Sequence, residues 1–213
     1  MKRLRRLTLV CLCLASGFAG AETPDLLLAN VYEGDVELSH YWISEKLDGV
    51  RARWDGTHLI SRGGNVFHAP TWFTRDFPDT PLDGELWMGR GTFEALSGTV
   101  RQERPDDTQW RRVKYMVFDL PSYPGTFDER LLAMRRLVVH SDSRYLDVIK
   151  QFKVDNAASL RTRLLDVVAA GGEGLMLHRA DSTYRAGRSD DLLKLKLYRD
   201  AEATVIGYTE ASG

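Results

Sequence analysis

Glu45-Lys46-Leu47-Asp48-Gly49-Val50-Arg51 sets a lysine at the end of an apolar stretch, residues 41–47, and follows it with a turn and an arginine. Alternation of apolar and polar residues makes the stretch a strand, and Asp48-Gly49 breaks it. Just downstream, residues 50–54, Asp55-Gly56 and residues 57–61 read as a hairpin with a tight Asp-Gly turn. The four fixed residues of Lys-x-Asp-Gly-x-Arg should occur at about one start position in a hundred thousand for average composition. A surface hairpin could carry the same pattern, so its company in the sequence decides.

Further strands are expected at residues 82–88, 113–120, 145–154, 173–178, 192–198 and 203–209. Three helices interrupt them. One covers residues 92–101. A second opens on the capping box Thr126-Phe127-Asp128-Glu129 and runs to about His140. Asn156 caps the third, and Gly171-Gly172 stops it. Strands and helices mix without regular alternation, which predicts an α+β domain built on antiparallel sheets flanked by helices.

The 213 residues fall into unequal parts. Lys2, Arg3, Arg5 and Arg6 precede an apolar run at residues 7–18, and Ala19-Gly20-Ala21 is a small-residue cleavage pattern, so residues 1–21 read as a secretory signal peptide. The apolar run is shorter than the roughly 20 residues a membrane span needs. Export to the periplasm is the expectation, with no membrane attachment after cleavage. Both cysteines, Cys11 and Cys13, lie in this segment. Residues 22–213 therefore form no disulfide and hold neither a Cys nucleophile nor Cys-ligated zinc. Of the 29 Lys and Arg, four fall in the segment, which has no acid, so the remainder carries 25 against 30 Asp and Glu, a net charge of -5. That is a poor footprint for a stand-alone nucleic-acid binder; DNA contact is expected from a local basic surface or from a part of the protein outside this sequence.

The lysine stretch is followed in order by Ser61-Arg62-Gly63, Leu82-Asp83-Gly84-Glu85-Leu86, Val117-Phe118-Asp119, Glu173-Gly174-Leu175-Met176 and Leu193-Lys194-Leu195-Lys196. This ordered set resembles the covalent nucleotidyltransferases, specifically the ATP-dependent DNA ligases in their minimal exported bacterial form, over residues 22–213. RNA ligases and RNA capping guanylyltransferases share the lysine motif, and a non-catalytic nucleotide- or nick-binding module is a further alternative. The resemblance implies a nucleotidyltransferase (ATP-grasp-like) domain over residues 22–199, acting as a monomer on nicked double-stranded DNA with ATP and Mg2+ or Mn2+. It also makes residues 200–213 the first strand of a C-terminal OB-fold, with the barrel cut short and nick sealing impaired.

The chemistry fits these residue types. An amine that attacks phosphorus must be neutral at that moment, which partial burial and neighbouring cations favour. The resemblance makes Lys46 that nucleophile, carrying AMP as a phosphoramidate. Lys194 and Lys196 alternate along their strand and so share a face; the resemblance sets them on the nucleotide phosphate, with Arg188 near it. Carboxylates suit hard divalent ions. By resemblance Glu173 binds the metal and Glu85 the ribose hydroxyl, either shifting role between steps, so both are candidate metal ligands. Phe118 alone reads as a core residue; the resemblance stacks it on adenine, with Glu45 at the purine edge. The resemblance assigns Arg51 to the ribose or nick end and Arg62 to the nick 5′-phosphate; arginine suits such a role, since a guanidinium fork can hold a phosphate in two bonds.

Overall fold

The computed structural model describes residues 23–197. The signal segment and the strand expected at residues 203–209 lie outside them. Two sheets organise the chain. The first has the order β1 (Leu27–Val31), β9 (Gly187–Leu195), β8 (Gly174–Arg179), β2 (Tyr41–Lys46). The second has the order β4 (Leu59–Ser61), β3 (Val50–Trp54), β5 (Leu82–Trp87), β6 (Lys114–Asp119), β7 (Leu146–Val148). The α+β expectation holds, and most neighbours are antiparallel. Each sheet also has one parallel edge, β1 on β9 and β7 on β6. Local periodicity cannot reveal such pairings, because the partners are far apart in sequence.

Helices cover the outer face of each sheet. The helix α5 (Ala157–Ala169) packs on β8, and its Leu160 and Leu164 join Tyr41, Ile43, Leu175, Leu177 and Leu193 in one core. On the second sheet, α2 (Phe93–Val100) and α4 (Phe127–Val139) pack with two short helices, α1 (Thr71–Thr74) and α3 (Asp107–Trp110). Their core includes Leu82, Leu86, Tyr115, Val117, Phe127 and Trp110. Capping is as the residue types dictate. Thr126 and Glu129 form the reciprocal box that opens α4, and Asn156 accepts from Ser159 N–H to open α5.

Three expectations shift. The hairpin closes with Trp54 opposite Leu59, so Asp55–His58 form a four-residue loop. Asp55 Oδ1 accepts from the N–H groups of Thr57 and His58, an Asx-type turn that holds the wider loop. The strand expected over residues 145–154 is paired only at Leu146–Val148. Beyond it the chain crosses to the first sheet, where Phe152 bridges Ile43. Conversely, β9 begins five residues before the expected start, because β1 supplies a partner from Gly187 onward.

The lysine motif is itself a crossing between sheets. Lys46 ends β2 in the first sheet, Val50 begins β3 in the second, and Leu47-Asp48-Gly49 is the corner. A Cβ on Gly49 would lie 2.4 Å from Leu86 O and 2.6 Å from Glu85 Cγ, so only glycine permits the approach. Gly174, paired opposite Lys46, is similarly confined: a Cβ there would lie 2.3 Å from Leu195 O. Gly49→Ala is expected to lower stability in urea unfolding by about 1–3 kcal/mol, as overpacking does. Gly98→Ala, in α2 with open space around it, should instead raise stability by up to about 1 kcal/mol.

Candidate active site

The sheets face each other across a cleft with a cavity of about 290 Å3. Alternation along the strands decides which side chains enter it. From β2 come Ser44 and Lys46, opposite Met176 and Gly174 of β8. From the second sheet come Arg51, Asp83, Glu85 and Phe118. Lys194 and Arg188 of β9 and Arg62, just past β4, complete the lining with Glu45. Eight of the sequence-expected residues therefore share one cavity.

The other two, Glu173 and Lys196, meet Lys46 at its rim. Lys46 Nζ donates to Glu173 Oε2 at 2.5 Å, with the side chains 25% and 22% exposed. Lys196 Nζ pairs with the other oxygen, Oε1. One carboxylate thus holds two lysines from different strands. Burial pushes the Glu173 carboxyl up, but hydrogen bonds from Lys196 and Lys46 outweigh it and leave the group below its ordinary value. Lys196 lies one residue past the end of β9, against Gly174.

Glu85 behaves oppositely. Desolvation pushes its carboxyl up to about 8; Lys46 and Arg51 oppose this, while Asp83 and Glu173 add to it. At neutral pH this carboxyl is largely protonated and can both donate and accept a hydrogen bond. Arg51 is clamped by Asp83 through Nε at 3.1 Å and Nη2 at 2.6 Å, and its guanidinium lies 5.2 Å from the centroid of the Phe118 ring. Tyr184 Oη donates to the same Asp83 at 2.9 Å and accepts from Leu27 N–H. Glu45, expected at a purine edge, is gripped by Arg90 at 2.7 and 2.8 Å. Arg188 donates to Ala29 O at 2.6 Å.

Sequence reasoning passed over Asp83, Arg90, Tyr184 and a buried group beneath the cleft. There Arg130, 0% exposed, donates to both oxygens of Asp119 and to the carbonyls of Gly125 and Ser182. His178 stacks on Phe127 with centroids 3.6 Å apart, and burial together with Arg130 holds it neutral, well below its ordinary pKa. Asp83 and Asp119 both stand in motifs quoted from the sequence, and Asp83 shares the strand parity of Glu85, so those two belong to one face.

A divalent ion fits the donor set. Glu85 and Glu173 are close enough to couple electrostatically, and two carboxylates plus phosphate oxygens are a usual magnesium environment. Among the described residues no cluster of three or more His, Asp or Glu could enclose a cation unaided. No described helix is long and apolar enough to cross a membrane.

The family described as ATP dependent DNA ligase domain matches residues 35–196. A DNA ligase of Haemophilus influenzae is 35% identical over 199 residues, covering 93% of this chain and 73% of that protein. The multifunctional non-homologous end joining protein LigD of Pseudomonas aeruginosa is 32% identical over 142 residues, 62% of this chain and 16% of its own length. A solved structure from a structure–function analysis of Lig E DNA ligases superposes with a TM-score of 0.83 at 41% identity, covering 89% of this chain and 75% of that one. Chlorella virus DNA ligase-adenylate, 24% identical with a TM-score of 0.69 and covering 87% and 74%, shares the fold.

The Glu85 carboxyl sets a pH dependence. Its folded pKa of about 8 exceeds the ordinary 4.5, so the folded state keeps a proton that the unfolded chain has lost. That stabilisation is complete below about pH 4.5 and disappears as pH rises through about 8. Urea unfolding at pH 5, 7 and 9 should show Glu85→Gln gaining on the wild type as pH rises; a constant difference would contradict the assignment.

Proposed function

Because the chain belongs to the ATP-dependent DNA ligase family, we propose that Lys46 is the nucleophile that takes AMP from ATP and passes it to the 5′-phosphate of nicked duplex DNA. The observation that carries this reading is Lys46 at the inter-sheet corner, hydrogen-bonded to Glu173 and opening onto the cavity that also receives Phe118, Lys194 and Arg188.

In the first step Nζ forms a bond to the α-phosphorus of ATP, the bond from that phosphorus to the bridging oxygen breaks, and pyrophosphate leaves. Before attack the Lys46 ammonium gives one proton to Glu173 Oε2, which already accepts from Nζ, and the second proton, lost as the N–P bond forms, leaves with pyrophosphate. In the second step an oxygen of the nick 5′-phosphate attacks, the P–N bond breaks, and Nζ regains a proton. The 3′-hydroxyl then attacks the activated 5′-phosphate, its proton passing to solvent, and AMP departs, leaving a phosphodiester.

Transfer of this kind depends on positioning and on neutralising phosphate charge. Lys194, Lys196 and Arg188 serve the nucleotide phosphates, Arg51 the ribose or nick end, and Arg62 the nick 5′-phosphate. Phe118 offers a face to adenine, and the protonated Glu85 pairs with a ribose hydroxyl. Glu173 would hold Mg2+ or Mn2+, joined by Glu85 only in a step where that carboxyl is ionised, and the ion would supply charge neutralisation at the phosphates. We also infer from the basic, apolar and small-residue pattern of residues 1–21 that the chain is exported; sequencing the amino terminus of the periplasmic protein should find Glu22 first.

Lys46→Ala and Lys46→Arg should each abolish transfer of α-labelled AMP from ATP to the protein and lower nick sealing by about 1,000-fold or more, as loss of a nucleophile does. Lys194→Ala should slow label transfer by about 100-fold through loss of phosphate stabilisation. Label transfer persisting in both Lys46 variants would refute the assignment.

A further inference from the structure

Gln151 lies on the segment that carries the chain from the second sheet to the first, and it is pinned from both sides. Upstream, Ile149 N–H donates to Val117 O at 2.9 Å beside β6. Downstream, Phe152 exchanges backbone hydrogen bonds with Ile43 of β2 at 2.8 and 2.9 Å. Between these anchors Gln151 is 8% exposed and lines the same cavity as Lys46, Ser44, Phe118 and Ile149.

Its side-chain Oε1 is buried and has no hydrogen-bond partner among the described residues. Most buried polar atoms are paired, because an unpaired one keeps its desolvation penalty uncompensated. The other such atom, Trp110 Nε1, sits in the outer core of the second sheet, away from the cleft. Among the described residues, Gln151 alone combines an orphaned acceptor with a cavity wall. It is a neutral amide, poorly suited to phosphate, in a cavity wall that also includes the apolar side chains of Phe118 and Ile149. The cations that suit phosphate belong to Lys46, Lys194, Lys196 and Arg188. Glu45, the other polar candidate for a purine edge, is already gripped by Arg90.

We propose that Gln151 reads the base of the nucleotide: its Oε1 accepts from the adenine N6 amino group while its Nε2 donates to N7, the two-bond match that glutamine makes to adenine. The last side-chain torsion of glutamine is broad, so the amide plane can turn to present its O–C–N edge to the ring without disturbing the pinned backbone. This rests on the reading that ATP binds in the cleft with its base toward Phe118. The residue would be a specificity determinant that touches the base and takes no part in the transfer chemistry.

The test uses the full chain with ATP, purine riboside triphosphate, which lacks the N6 amino group, and 7-deaza-ATP, which lacks N7. Equilibrium binding and covalent adduct formation are measured for each. The wild type should bind each analogue about 10-fold or more weakly than ATP, the penalty for leaving a site group unpaired. Gln151→Leu, which loses both bonds, should raise the Kd for ATP about 100-fold and those for the analogues, each of which has one bond left to lose, about 10-fold, and so erase the preference. Gln151→Glu, ionised, keeps the acceptor and lacks the donor, so it should still discriminate against purine riboside triphosphate but not against 7-deaza-ATP; it also covers the case in which the leucine variant does not fold. Wild-type enzyme that binds all three equally, or a Gln151→Leu variant that weakens all three by the same factor, would overturn the proposal. Discrimination in binding without any adduct would instead overturn the role of Lys46 and leave Gln151 standing.

Discussion

The cleft depends on one close approach. At Gly49 the backbone passes so near Leu86 O and Glu85 that no side chain fits, and this contact lets the chain turn from the first sheet into the second within three residues. Because the turn follows Lys46 directly, the lysine is delivered to the line where the sheets face each other. Gly174 repeats the constraint across β2 and β8. It brings Lys196 alongside Lys46, so that Glu173 can hold both. Two steric requirements for glycine thus fix the place of three charged groups.

Charge is balanced locally in this cleft. Lys46 and Lys196 share Glu173, Arg51 has Asp83, and Glu45 has Arg90. Fully desolvated ion pairs need good geometry and further hydrogen bonds to offset the loss of water. Asp83 gains the Tyr184 hydroxyl and Arg130 gains two backbone carbonyls, which meets that condition. Lys194, Arg188 and Arg62 reach the cavity outside these ion pairs. The overall charge of the chain therefore says little about the cleft, where a few cations are concentrated on one surface.

Much of the site could be read because each motif combines a local backbone requirement with a chemically distinctive side chain. Asp48-Gly49 marks the corner after Lys46, alternation sets Lys194 with Lys196 on one edge, and Thr126 and Asn156 announce their helices. What could not be read depends on contacts distant in sequence. The parallel edge β1 joins residues near 27 to residues near 187. Arg90 shows its role only when Glu45 is brought beside it by folding. The four-residue helices α1 and α3 are too short for a helical period to emerge. Residues 145–154 alternate like a strand, yet after Val148 the second sheet gives way to a crossing that only the Phe152 to Ile43 bridge explains. Gln151 was hidden in that alternation.

The proposed reaction requires Lys46 Nζ to be the atom that carries AMP. Peptide mapping of the full chain after incubation with ATP and a divalent cation tests it most directly. The account predicts one AMP on the peptide containing Lys46, with tryptic cleavage blocked at that residue. An adduct at Lys194, Lys196 or another side chain, with Lys46 unmodified, would contradict it.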